Sequence, residues 1–496
     1  MDLFRKSQQN VAGTESMTPE ETTPQETTAE ETRSLMCERP PPPRSVRETG
    51  IELNNLISLV VKTMYVRGIE TSSQLAEALK LNTAIVNTLM DEIKDRSLIE
   101  NLGLAGDSQH SEFRFNLLSK GREWAIEAMG LSQYIGPAPV VLEDYYRQIE
   151  RQRIHLEAVD RESLIEGLSG LVVPDKLVRR LGPAINSERS LLLYGPPGNG
   201  KTTIAEVIGD IFKMIIHVPY CLDVDGTIIK VFDTTLHRTI DDVSHPEHTL
   251  AKSASLRIDD IDRRWVACQR PVIITGGELT LEMLDLSFNP HARYYEAPLH
   301  VKAIGGTFIV DDLGRQLVRP EDLLNRWITP MEKRVDYLTL NTGKTFSIPF
   351  DELLVFSTNL MPEDIMDPAF LRRIPYKVEL NAPSMESYRE LFRNLCAKYD
   401  LPYDDAVPEL VAQELQATFD QPLSYFQPKF VVEQCVAACK YFGKPLTMDR
   451  ELLFDAMENL SAKSETQRGN GSARPNGDGN VTAAKGVVGG GYTISK

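Results

Sequence analysis

Three short runs, Leu191 to Tyr194, Thr307 to Val310 and Leu353 to Phe356, are apolar at consecutive positions rather than alternate ones. That is the pattern of strands buried on both faces of a parallel sheet. Met214 to Val218 reads as a further core strand, and Tyr376 to Leu380 as another. Between them the period changes to that of a helix. Ile204, Ile208 and Ile211 share one face, Leu177 to Leu181 forms another helix, and Leu323, Leu324, Trp327, Ile328 and Met331 mark a helix over Pro320 to Arg334. Val335 to Leu340 and Lys344 to Ile348 alternate around Asn341-Thr342-Gly343, the signature of a hairpin. Four helical patterns close the chain: Tyr388, Leu391, Phe392 and Leu395; Leu410, Leu415 and Phe419; Phe430 to Tyr441; and Glu451 to Leu460. An α/β core followed by an all-helical domain is the fold this predicts.

Residues 49–130 carry a different pattern. Leu56, Val60, Val61 and Met64 lie on one face of a helix over Leu53 to Val66. Thr71-Ser72-Ser73-Gln74 is a helix start leading to Leu75, Ala78 and Leu79, and Asn82 opens a third helix carrying Ile85, Val86, Leu89 and Ile93. Extended pieces over Leu98 to Leu104 and Glu112 to Leu117 flank the turn Gly106-Asp107-Ser108. Helix, helix-turn-helix and hairpin in this order resemble a winged-helix domain. Its third helix has one Lys, three acids and no Arg. Nucleic-acid affinity draws on phosphate contacts from cations, so this face favours a protein partner over DNA, which remains the alternative.

The flanks are of another composition. Residues 1–48 are rich in Thr, Glu and Pro and include the run Pro40 to Pro43. Such a segment buries too little apolar surface to offset its ordering entropy and reads as a disordered tether. Residues 463–496 are Gly-, Asn- and Ser-rich and read as a second disordered tail. Residues 131–160 read as a connector, 161–381 as the α/β domain and 382–462 as the helical domain. The 496 residues agree with about three domains at roughly 150 residues each. A net charge of −17 argues against nucleic-acid binding by the chain as a whole. Six cysteines without C-x-x-C spacing fit reduced thiols, and Cys435 and Cys439 read as small buried apolar residues. With no secretory signal and no apolar run of the ~20 residues a membrane span needs, a cytoplasmic protein is expected. His245 and His248 read as loop histidines rather than metal ligands.

The chemistry is concentrated in two motifs. Gly195-Pro196-Pro197-Gly198-Asn199-Gly200-Lys201-Thr202 is G-x-x-x-x-G-K-T, a phosphate-binding loop set between the first strand and a helix, with Thr203 following. Its glycines let backbone N–H groups converge on an anion. Lys201 supplies a charge for the β- and γ-phosphates, and Thr202 a hydroxyl for Mg²⁺. Asp311-Asp312 closes the strand Thr307 to Val310 as a Walker B element should. Asp311 is placed to hold Mg²⁺ through water, and Asp312 to polarise the attacking water. ATP and Mg²⁺ are the implied substrate and cofactor.

In this order of motifs the chain resembles the AAA+ ATPase family over roughly residues 160–462. The resemblance implies that Asn359, at the end of its strand, positions the attacking water. It implies that Arg372 or Arg373 is an arginine finger reaching a neighbouring subunit, and that residues 382–462 are the lid. It further implies a homo-oligomeric ring, expected to be a hexamer, that remodels a protein substrate, with a DNA-associated regulator or loader and a slow nucleotide-switched scaffold as alternatives. The hairpin over 335–348 is similar to the insertion preceding the sensor strand in MoxR-type, chelatase-type and helicase-type branches. Leu168, Leu171 and Val172 are candidates to line the adenine pocket. Lys230 and Phe232 follow the second strand, where ring ATPases grip a threaded polymer; an ordinary hairpin is the alternative. Two positions depart from the family. Asp312 stands where most members have Glu, a reach shorter by about one carbon–carbon bond, ~1.5 Å, implying slower hydrolysis or a different backbone placement. Lys429 stands near the place of the lid arginine and lacks its bidentate fork.

Overall fold

The computed structural model describes residues 37–105, 112–187, 189–240 and 261–460. The first 36 residues of the N-terminal segment, His245, His248 and the tail 463–496 lie outside the described residues. Residues 37–48 depart from the tether expected over 1–48: Cys37 is buried and donates its N–H to the Ile215 carbonyl at 3.2 Å, and the Pro40 carbonyl accepts the Asp262 N–H at 3.3 Å. Two compact units are present. One holds the described residues up to Leu391 together with Ser424–Phe426; the other holds Phe392–Leu423 and the described residues from Gln427 onward.

The first unit begins with three helices, α1 (Leu53–Arg67), α2 (Ser72–Leu79) and α3 (Thr83–Asp95). The apolar stripe of α1 is buried as its period predicts. Thr71 caps α2 by accepting the Gln74 N–H, and Asn82 caps α3 by accepting that of Ala84. The antiparallel strands β1 (Ile99–Ala105) and β2 (Glu112–Leu117) follow, and then α4 (Ser119–Leu131), a helix the periodicity does not reveal. Its buried positions are the small Gly121, Ala125 and Ala128, so it presents no apolar stripe to read. Gly121 is required there, since a Cβ would lie 2.1 Å from the Leu98 carbonyl oxygen.

The chain then passes through β3 (Val140–Val141), α5 (Leu142–Arg151), α6 (Arg161–Gly167) and α7 (Asp175–Ile185) to β4 (Leu191–Tyr194) and α8 (Lys201–Asp210). Next come β5 (Ile215–Pro219), β6 (Cys221–Val224), β7 (Thr227–Lys230), β8 (Trp265–Gln269), β9 (Val272–Thr275), β10 (Ser287–Asn289) and β11 (Tyr294–Glu296). The last elements of this unit are α9 (Leu299–Lys302), β12 (Thr307–Val310), α10 (Pro320–Lys333), β13 (Val335–Thr339), β14 (Thr345–Pro349), β15 (Leu353–Thr358), α11 (Pro362–Ile365), α12 (Pro368–Leu371) and β16 (Tyr376–Glu379). A five-stranded all-parallel sheet in the order β16-β4-β15-β12-β9 is the centre. Side chains alternate across it. Leu191, Leu193, Ile309 and Val355 pack against Leu181 of α7 and Ile204 and Ile208 of α8. Leu192, Phe308, Leu354 and Phe356 face Leu323 and Trp327 of α10. The result is a parallel sheet flanked by helices.

One predicted core strand goes elsewhere. Met214 to Val218 does form strand β5, but it pairs antiparallel with β8 rather than joining the parallel sheet. A continuous apolar run reports burial on both faces, and says nothing of the partner. The edge place is taken by β9, whose Ile274 is 42% exposed. The residues proposed to grip a polymer are also relocated. β6 and β7 form a hairpin around Asp225 and Gly226, at φ 51° and 77°, the turn chemistry of a two-residue connection. Phe232 is buried against Tyr220 and His237, and the Lys230 ammonium lies 3.3 Å from Glu296. The hairpin alternative holds and the free gripping loop does not.

His217, on β5, is 2% exposed and its Nδ1 has no hydrogen-bond partner. Burial, with a smaller push from Arg39, brings its pKa down to about 4. A folded value below the unfolded one means stability that is complete above about pH 6.5 and is lost as pH falls through 6.5 towards 4. In urea unfolding at pH 7 and pH 5 the loss of stability is expected to be about 2 kcal/mol smaller in His217→Leu than in wild type, that difference being the His217 contribution.

The second unit is helical. α13 (Met385–Lys398) leads into it from the first, followed by α14 (Ala406–Ala417), α15 (Phe426–Phe442) and α16 (Arg450–Leu460). Cys435 and Cys439 are buried free thiols, in keeping with their reading as small apolar residues. Among the described residues no group of three or more His, Cys, Asp or Glu could hold a metal, and no helix is long and apolar enough to cross a membrane.

Candidate nucleotide site

The register of the parallel sheet assembles the site. Tyr194 pairs with Thr358, and Val310 with Phe356. The loop after β4, the acids after β12 and the polar end of β15 therefore leave the sheet at its C-terminal edge, where open α/β sheets bind ligands.

Gly195, at φ 136°, has no room for a side chain: a Cβ would lie 2.4 Å from the Leu380 carbonyl oxygen. Gly198, at φ 79°, packs directly on the Phe426 ring. Pro196 and Pro197 are exposed on the outside of the loop, and Thr203 is exposed on the helix. Asn199 is buried, its Oδ1 accepting the Tyr425 N–H at 3.4 Å. Gly200 is the N-cap of α8, so the free N–H groups and positive dipole end of that ten-residue helix open onto the loop. Lys201 is 6% exposed and donates to the carbonyls of Gly195 and Pro196, both at 2.9 Å. Burial lowers its pKa, while Asp312 and Asp311 oppose that shift.

The two motifs meet at Thr202 Oγ1, which donates to Asp311 Oδ2 at 2.7 Å. The other Asp311 oxygen accepts a hydrogen bond from the Ser357 hydroxyl. Asn359 Nδ2 donates to Asp312 Oδ1 at 2.8 Å. Asp312 itself sits at φ 50°, a left-handed conformation that Asp tolerates better than most residues. Lys201, Thr202, Asp311, Asp312 and Asn359 are thus brought together. Arg372 is exposed and donates to the Pro368 carbonyl at 3.2 Å. Arg373 donates to Glu332 at 2.6 Å and to the Ala369 carbonyl at 2.9 Å. Lys429 lies on α15 with its ammonium 4.0 Å from Glu433.

Ser357 escapes the sequence reading because its contact depends on the register between β12 and β15. The available signal was a buried hydroxyl residue ending an otherwise apolar strand. The donors around Thr202 are all oxygens, one hydroxyl and one carboxylate, which suits a hard cation that retains water and phosphate ligands.

The fold and this edge define a P-loop nucleotide-binding domain. Residues 191–270 match the family described as "ATPase family associated with various cellular activities (AAA)", and the chain carries an AAA+ P-loop ATPase domain. Residues 384–459 match a domain of unknown function, DUF8689. The proteasome-activating nucleotidase of Methanocaldococcus jannaschii is 28% identical over 163 residues, covering 32% of this chain and 36% of that protein. That of Aeropyrum pernix is 26% identical over 209 residues, covering 40% and 49%. The vesicle-fusing ATPase of Dictyostelium discoideum is 43% identical over 54 residues, covering 11% and 7%. The chain thus spans half or less of the length of these relatives. Among solved structures, NtrX from Brucella abortus is similar at a TM-score of 0.36 and 13% identity, covering 65% of this chain and 61% of that one.

Proposed function

We propose that this chain binds Mg-ATP at the C-terminal edge of its parallel sheet, hydrolyses it between neighbouring copies in a ring, and uses the cycle to remodel a protein partner. The observation that carries the proposal is the 2.7 Å contact between Thr202 and Asp311, since it joins two segments far apart in sequence at the place a nucleotide-bound cation requires.

In this reading the loop N–H groups and the α8 N-terminus bind the phosphates, and Lys201 moves its ammonium from backbone carbonyls to the β- and γ-phosphate oxygens. Thr202 and Asp311 would hold the Mg²⁺, which would supply charge neutralisation at the phosphoryl oxygens. Asn359 and Asp312 orient the attacking water, and Asp312 accepts its proton. Arg372, of the two finger candidates, is free of the ion pair that occupies Arg373 and is assigned to the neighbouring copy's γ-phosphate. The helices and hairpin over 49–130 would select the partner. The outer face of α3 presents Asn87, Thr88, Asp91, Lys94 and Asp95, a mixed polar surface suited to protein rather than to phosphate.

Phosphate release by the full chain tests the core of this reading. Lys201→Ala is expected to lower kcat/KM by about a hundredfold, the usual scale for one preorganised charge at a reacting group. Turnover equal to wild type would refute it.

A further inference from the structure

Both acids after β12 are held by one strand end. The Ser357 hydroxyl donates to Asp311 Oδ1 while Thr202 donates to Oδ2 at 2.7 Å. Two residues further, Asn359 donates to Asp312 at 2.8 Å. Extended backbone puts residues two apart on the same side, so positions 357 and 359 meet adjacent acids. The spacing is fixed by two ties, Leu313 N–H to the Ser357 carbonyl at 2.7 Å and Thr358 Oγ1 to the Leu313 carbonyl at 2.8 Å. Ser357 is 1% exposed, so solvent does not readily replace its hydroxyl.

We propose that Ser357 is a positioning residue that sets the Mg²⁺ requirement of the site, acting through the Asp311 carboxylate. The inference rests on the Mg-ATP reading above. A carboxylate that holds a hydrated cation must offer its lone pairs in a fixed direction, and one hydrogen bond leaves it free to rotate. Two hydroxyls, one on each oxygen, fix the plane. Thr202 can serve the cation as well, because its hydroxyl proton points at Asp311 while its oxygen lone pairs remain available to the metal. Ser357 has no such second duty. Removing it leaves a part-buried carboxylate oxygen without its donor, which Asp311 answers by turning. Asn359 acts on the other acid, so its loss lowers kcat without moving the Mg²⁺ dependence.

The test is ATP hydrolysis by the full chain at saturating ATP, titrated with free Mg²⁺, beside calorimetric ATP binding in EDTA. Ser357→Ala is expected to raise the half-saturating Mg²⁺ about tenfold or more, the scale of a lost outer-shell partner, with ATP affinity in EDTA unchanged. Ser357→Thr restores the wild-type Mg²⁺ curve, and Ser357→Cys, which fills the site with a weaker donor, shifts it in the direction of Ala. A Ser357→Ala curve that overlays wild type, or an equal loss of affinity in EDTA, overturns the role of Ser357 alone. Wild-type protein that neither binds nor hydrolyses ATP overturns the nucleotide reading and this one together.

Discussion

Asp312→Asn is expected to lower turnover by about a thousandfold while leaving ATP bound. Positioned general bases contribute roughly 10²–10⁴, and the amide keeps the volume and the partner of the carboxylate but cannot accept a proton. The Asn359 contact at 2.8 Å survives, because the new side-chain carbonyl still accepts. The backbone is also undisturbed, since Asn adopts the left-handed conformation at φ 50° as readily as Asp. Phosphate release measured beside ATP retention on the isolated protein separates the outcomes. Retained ATP with little phosphate is the expected pattern, and turnover near wild type would remove Asp312 from the mechanism. Such a trap also offers a route to the protein partner.

The second large effect concerns Arg372. Arginine fingers contribute on the order of 10³–10⁵ to phosphoryl transfer, so Arg372→Ala is expected to lower kcat by about a thousandfold. Arg373→Ala should cost far less in turnover. Arg373 is committed to Glu332 at 2.6 Å and to the Ala369 carbonyl, so its loss falls on packing around α12. The proposal that Arg372 acts in trans has its own check. Arg372→Ala and Lys201→Ala subunits are each expected to turn over at a small fraction of the wild-type rate alone. Mixed in one assembly, they create interfaces with an intact loop from one copy and an intact finger from the other. Activity regained on mixing supports the trans assignment, and its absence contradicts it.

What the sequence disclosed follows from how local each signal is. The phosphate loop is contiguous, so its residues and the helix behind it could be read directly. The Asp311-Asp312 pair is local to one strand end, and the apolar run before it announced a buried strand. Ser357 was invisible because its partner lies 46 residues away and is found only once β12 and β15 are in register. β5 shows the limit of hydrophobic patterning: burial on both faces was correct, but strand direction and neighbour are properties of the whole sheet. β9, which takes the edge place instead, lies within residues 240–300, which read as an insertion relative to a minimal core; its Val272-Ile273-Ile274 run in fact belongs to the core sheet. α4 escaped because its buried face is built from glycine and alanine, which close packing demands and hydropathy does not register. Phe232 was assigned to a loop by its position after a strand, whereas the positive φ of Asp225 and Gly226 turns the chain back and buries it.

The claim on which everything else stands is that Thr202 and Asp311 act on one nucleotide-bound cation. A double-mutant cycle measures this directly, using the Mg²⁺-dependent part of ATP affinity in wild type, Thr202→Ala, Asp311→Asn and the double variant. Groups serving one cation couple, so the double variant is predicted to be little worse than the poorer single one, a departure from additivity of about 1 kcal/mol or more. Effects that simply add would place the two residues at separate tasks and contradict the account.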